Sequence, residues 1–346
     1  MTASERFAAY LAGRPVDRAP AIEWAPWWHL TVERWLKDGL PPEAAGGEAL
    51  QEYFGLDKCL QTSVTCRTKE TPSPASYGTG ILEDEAGYEK IRPTLFPDPK
   101  TLLSEGRLDF LKRTHERGDT LHFFTVEGFF WYPRELVGIE KHFYSFYDEP
   151  ELYHRICDEY ADWLVLLFEA VFSRFSFDFM SFAEDMSYNS GPMISRELFD
   201  EFLAPYYRLV IPVIHSYGVP VFVDSDGDIT KAVDWYAGVG VDGMFPLERQ
   251  AGVDVSVYLD KQPSLAYLGH FDKMCMKFGE EAMRAEFERL LPSLQRGKVI
   301  PSVDHQTPPD VSLEQYKIYV RLLKEYTGKI THRDGALGPC PVFRKR

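Results

Sequence analysis

Short apolar runs recur along the chain, and most end in a polar residue before a longer amphipathic stretch begins. The runs are APAIEW (19–24), KCLQTSVT (58–65), LHFFTVE (121–127), FDFMSFAED (177–185), PVFVDSDG (220–227), GVDGMFPLE (240–248), LAYLGHFD (265–272) and VIPSVDH (299–305). Their length and their β-branched and aromatic content predict strands. Between them, EPELYHRICDEYADWLVLLFEAVFSRF repeats apolar residues at helical spacing. SRELFDEFLAPYYRLVIPVIHSYG opens on Ser195 as an N-cap and stops at Gly218, and GEEAMRAEFERLLPSLQRG is a third predicted helix. Strands alternating with helices imply βαβ units and a parallel sheet. Eight such strands predict an α/β fold, a single (β/α)8 barrel over residues 1–330. No GxGxxG follows the first run, which removes the usual support for a doubly wound dinucleotide fold. Residues 66–118 break the rhythm. They are expected to form an irregular hairpin insertion, with turns at Gly78, Gly80 and Gly87, laid over one mouth of the barrel as a lid or a plain insertion. Residues 331–346 are read as a C-terminal tail.

Polar residues gather where the runs end: Glu23, Glu127, Glu184 with Asp185, Asp224 with Asp226, Glu248, His270 with Asp272, and Asp304 with His305. A parallel barrel puts all strand C-termini on one face, where barrel active sites lie. These residues are therefore candidates for one convergent site, although some strand-end acids only cap the next helix. Asp228 is read as such a cap. Asp224 and Asp226, two apart on an extended chain, project to the same side. Glu184 and Asp185 are adjacent, so only one should point into the mouth; Tyr188 and Asn189 follow in the loop, within reach of a substrate. Glu23 and Glu127 are either buried general acids with raised pKa or partners of Arg134 or Arg67. Glu248 and His270 are read either as substrate contacts or as a surface ion pair and a packed residue. Trp24, Trp27, Trp28, Phe129, Phe130, Trp131 and Tyr132 follow strand ends, where large flat surfaces suit an apolar or aromatic ligand. The alternative for them is core packing.

Composition narrows the class. Of 346 residues, 45% are hydrophobic and 26% charged, the balance of a globular chain, and aromatics at 14% are generous enough to line a pocket as well as a core. The net charge of −15, with no basic run, argues against nucleic acid and anionic membrane as partners. Five scattered cysteines without a CxxC read as reduced thiols. No signal core and no membrane-length apolar stretch is present, so the cytoplasm is the expected compartment. The composition permits a homodimer.

The segments SGPMISRELFDEFLAPYYRLVIPVIHSYG, VFVDSDGD, GVDGMFPLE, LGHFDK and PSVDHQTPPDVSLEQYKIYV, in this order, resemble the uroporphyrinogen decarboxylase superfamily, which includes corrinoid-linked methyltransferases. ERFAAYLAGRPVDRAPAIEW resembles the family's opening. The resemblance implies a (β/α)8 barrel with its site at the strand C-termini. It also exposes departures. Where the decarboxylases carry an Arg-Gln-Ala-Gly-Arg loop, this chain reads Trp24-Ala25-Pro26-Trp27-Trp28-His29, and Gln61-Thr62-Ser63 stands near the place of their pyrrole-binding Asp. The thiol-methylating branch carries zinc on a His-x-Cys pair and a distant Cys; the matching positions here are Asp224, Asp226 and His305. The resemblance thus implies an oxygen-rich divalent-metal site, with zinc the first candidate. The expected function is methyl transfer between a small substrate, such as a methoxylated aromatic, and a separate corrinoid protein, with Glu184, Asp185, Glu127 and Tyr188 as catalytic groups. A divergent decarboxylase or lyase of a small carboxylic acid, without corrinoid, is the alternative from the same fold; a non-catalytic ligand-binding barrel is the third.

Overall fold

The computed structural model describes residues 1–331. The expected tail lies, beyond Thr331, outside them. Seven of the eight predicted runs form strands of one parallel sheet: β1 Lys58–Ser63, β2 Thr120–Glu127, β3 Phe179–Ala183, β4 Val221–Ser225, β5 Gly243–Pro246, β6 Ala266–Phe271 and β7 Val299–Val303. They pair in sequence order, each with its neighbour in the chain. Helices on the outer side connect them, chief among them Pro150–Phe172 between β2 and β3 and Glu280–Arg296 between β6 and β7.

The first predicted strand, 19–24, forms no ladder. It is nonetheless buried and touches both ends of the curled sheet. The Asp57 N–H, just before β1, donates to the Ala21 carbonyl (3.0 Å), and the Trp24 Nε1–H donates to the Val303 carbonyl at the end of β7 (3.0 Å). Ala21 N–H is taken by the Asp57 side chain instead of a neighbouring strand. The segment therefore spans the gap with individual hydrogen bonds where a regular eighth strand was expected.

Two further expectations are corrected. The helix predicted from Ser195 to Gly218 is two helices, Arg196–Phe202 and Ala204–Ser216, because Pro205 starts a new helix within the run. Ser195 does cap the first, accepting from Leu198 N–H. Residues 66–118 contain no hairpin ladder, only the isolated bridge Arg67–Leu95 and a second from Thr79 to Gly138. Their last part is the connecting helix Glu105–Glu116, capped by Ser104 and burying Leu108 and Leu111. The stretch around Thr79–Leu82 lies on the end of the helix Trp131–Val137, with Ile81 N–H donating to the Leu136 carbonyl (2.7 Å). No helix among the described residues is long and apolar enough to cross a membrane.

Candidate active site

Four strand ends bring Asp185, Asp224, Asp226, Glu248 and His305 together. Donor atoms of Asp185, Asp224 and Asp226 lie within 4.8 Å of one another, and so do those of Asp226, Glu248 and His305. Asp226 belongs to both groups. It can do so because β4 ends beside β3 and the chain then turns sharply: Gly227 sits at φ +80°, and a Cβ there would meet the Tyr188 carbonyl at 2.7 Å. Asp226 N–H donates to Asp185 Oδ1 (3.2 Å), and His305 Nε2 stands 3.9 Å from Asp226 Oδ2. The three residues expected as metal ligands, Asp224, Asp226 and His305, do not form one group: Asp224 falls with Asp185 and Asp226, and His305 with Asp226 and Glu248.

The cluster is crowded and short of donors. Among the described residues, no Lys or Arg reaches ion-pair distance of these four carboxylates; the nearby Lys273 ammonium is held by Asp304 (3.2 Å) and Gln250 (2.7 Å). Burial and the charges of Asp185 and Glu248 push Asp226 up to about 8. Burial, with Asp185, Asp226 and Glu248 around it, pushes Asp224 well above the usual carboxylate range, and burial raises Asp185 too. Burial holds the His305 ring below its ordinary value, with Lys273 adding to the effect. Donors about 4–5 Å apart are what opposite ligands of one divalent ion require at bond lengths of about 2.0–2.5 Å. The chemistry of this set, several carboxylates and one imidazole without a thiolate, fits such a cation, which would also offset the repulsion that raises the acids.

Other strand-end residues have structural posts. Glu184 is fully buried. One of its oxygens accepts from Phe130 N–H (3.0 Å) and Trp131 N–H (3.3 Å), the other from Tyr207 Oη (2.5 Å). It pins the start of the helix Trp131–Val137, and Gly128 must lack a side chain because a Cβ would lie 1.8 Å from Glu184 Oε2. His270 is buried at φ +71°; its Nε2 accepts from Val255 N–H (2.9 Å) and its Nδ1 faces the Leu247 carbonyl (2.9 Å). It joins two loops beneath the mouth and makes no contact within the cluster. Glu23 is buried against Tyr319, and burial pushes it up to about 8. Phe129 and Phe130 are fully buried, packed on Tyr206, Tyr207 and His142. Both are core, because the Glu184 clamp turns the chain inward directly after β2.

Glu127 remains at the mouth. Arg67 takes one carboxylate oxygen, the other is buried with no partner, and burial pushes the group up to about 7. Tyr188, 63% exposed, stands on a two-residue hairpin strand (Ser187–Tyr188 with Gly191–Pro192) whose carbonyl at Tyr188 accepts from Asp228 N–H. Beside the cluster opens a cavity of about 530 Å³ lined by Glu23, Trp24, Pro26, Trp27, Leu60 and Gln61 among others, with no Lys or Arg among the described residues of its wall. Trp24 divides it from the cluster, its ring edge-on to His305 at 6.4 Å between centroids. Trp27 lines this cavity as expected; Trp28 is exposed and does not. Lys273, and Thr125 and Ser181, which continue a hydrogen-bonded row from Gln61 across β1 to β3, were not singled out by sequence.

The family model described as uroporphyrinogen decarboxylase (URO-D) matches residues 128–326, which include every acid of the cluster. The chain belongs to the uroporphyrinogen decarboxylase family. Its fold is similar to that of a methyltransferase from Methanosarcina mazei, with a TM-score of 0.70 and 16% identity over 94% of this chain and 99% of that one. A B12-independent methionine synthase from Shewanella sp. W3-18-1 matches with a TM-score of 0.41 and 11% identity over 90% of this chain and 93% of that one. At 16% identity the likeness to the Methanosarcina mazei protein is one of fold. None of the curated proteins compared matches the sequence. The family's C-terminal strand ends are therefore present with a donor set of oxygen atoms and one imidazole.

Proposed function

We propose that the chain is an enzyme that moves a methyl group between a small substrate and a corrinoid carried by a separate protein. The shared-carboxylate cluster carries this proposal. A methyl group leaving oxygen puts negative charge on that oxygen, and a site that offsets the charge accelerates the step by several kcal/mol. Asp226, Glu248 and His305, with Asp185 and Asp224, would hold a divalent cation, which when bound supplies Lewis-acid polarisation of the leaving atom. Zinc suits this mixture of carboxylate and imidazole.

The chain's own groups do the rest. Glu127 is level with Ala183, and Ala183 with Asp224. Two strand spacings put Glu127 about 10 Å from Asp224, room for a small substrate between them. Glu127 holds a proton near neutral pH at a carboxyl whose second oxygen has no protein partner, so it replaces Glu184 as the proton source for the leaving oxygen. The cavity beside Trp24 has no Lys or Arg among the described residues that line it, which disfavours a polycarboxylate such as uroporphyrinogen. The part of 66–118 around Thr79–Leu82, lying on the helix Trp131–Val137, would form the rim on which the carrier docks or the lid that moves for it.

Mixing the protein with a reduced corrinoid carrier and methoxylated aromatics tests this. Donor-dependent change in corrinoid absorbance is expected, with no turnover of uroporphyrinogen. Failure of every donor and carrier, together with consumption of a small carboxylic acid by the protein alone, would replace methyl transfer by decarboxylation.

A further inference from the structure

Arg134 lies midway along the short helix Trp131–Val137, which follows β2 at the mouth. Its guanidinium lies over the Trp131 ring, 4.4 Å from the centroid. Its Nε is buried with no hydrogen-bond partner, and among the described residues its side chain forms no ion pair. The neighbouring mouth cations are committed: Arg67 to Glu127 and Glu135, Lys273 to Asp304. The Glu184 clamp on Phe130 and Trp131 fixes this helix start against the end of β3, where Asp185 begins the acid cluster. A half-buried guanidinium with an unpartnered Nε and no protein anion is available to an anion brought by a ligand.

We propose that Arg134 binds a carboxylate on the substrate. The proposal rests on the barrel-mouth site described above and names its substrate class, a small aromatic acid. A planar guanidinium stacked on an indole is pre-organised for a carboxylate, which it can hold through two parallel N–H bonds. Held there, the acid lies between Glu127 and the cluster, with its methylated oxygen free to face Asp226. A second carboxylate directed at the cluster would meet Asp185, Asp226 and Glu248 instead.

Calorimetric titration of the zinc-replete protein with para-methoxybenzoate and with its neutral amide tests the assignment by binding alone. The acid should bind at least about tenfold more tightly than the amide. Arg134→Gln should bring the two within about twofold, and Arg134→Lys should keep part of the preference, because charge remains without the fork. Unfolding midpoints of both variants check that the fold persists; if the Gln variant is unstable, the Lys variant carries the comparison. Equal binding of acid and amide, binding of neither, or a preference that survives both substitutions overturns the proposal. Methyl transfer from neutral donors with no preference for acids would sink the carboxylate site and leave methyl transfer standing. An acid preference lost in Arg134→Gln, without methyl transfer to any carrier, would do the reverse.

Discussion

Glu184 and Asp185 are neighbours in the chain and opposites in their surroundings. Glu184 is fully buried and accepts from two backbone N–H groups and a tyrosine. Asp185, one residue on, accepts from Asp226 N–H and faces the carboxylates of Asp224 and Asp226. The same contrast divides Glu23 and His270 from Asp224, Asp226 and Glu248. The first group spends its polar atoms on holding the barrel together. The second is left short of partners, and its charges crowd one another. Position at a strand end does not separate the two groups; the supply of hydrogen-bond donors does.

The largest effect should come from Asp226, which both triads share. Asp226→Ala is expected to lower methyl transfer by more than about a hundredfold, or about 2.7 kcal/mol, in single-turnover assays. A variant within fivefold of wild type would remove Asp226 from the chemistry. Glu184→Ala should act on the other side of the comparison. It strands two N–H groups and a tyrosine hydroxyl, so denaturant unfolding should show a loss of about 2–4 kcal/mol while metal affinity is retained. Gly128→Ala, which drives a methyl group into the Glu184 carboxylate, should destabilise in the same direction.

A pH dependence follows from the raised acids. Glu184 moves from an ordinary 4.5 to about 7 and Asp226 from 3.8 to about 8 on folding. A raised folded pKa means that the folded state binds the proton more tightly. The contribution is complete below the unfolded pKa and is lost as pH rises through the folded one. With a chelator present, stability should therefore fall between about pH 5 and pH 8 from these groups. Zinc should flatten the part due to the cluster, and Asp226→Asn should remove that zinc effect. A zinc effect that is the same in wild type and Asp226→Asn would contradict the placement.

Smaller effects should mark residues outside the cluster. His270→Ala should cost about 1–2 kcal/mol through the lost contacts to Val255 and Leu247, with metal affinity unchanged. Tyr188→Phe, at an exposed hydroxyl, should alter stability by less than about 0.5 kcal/mol and the rate by less than about twofold.

Much of this layout was legible in the chain. Apolar runs ending in acids marked seven strands and the face on which they open, and the two-residue period put Asp224 and Asp226 on one side. The period could not assign Glu184 and Asp185, because Asp185 adopts φ +40° and ends the alternation exactly where it mattered. Phe129 and Phe130 read as mouth residues because nothing local announces that Glu184, more than fifty residues later, turns their chain inward. The segment 19–24 has strand composition yet spends its hydrogen bonds singly. Arg134 gave no sequence signal beyond its type; its lack of an acid partner exists only once the helix after β2 is placed.

Metal content measured on wild type, Asp226→Asn and Glu184→Gln, all expressed with the same zinc supply, tests the division between the two groups of acids most directly. Wild type and Glu184→Gln should each retain about one equivalent through gel filtration, and Asp226→Asn should retain almost none. Equal metal in wild type and Asp226→Asn, or loss of metal in a well-folded Glu184→Gln, would contradict it.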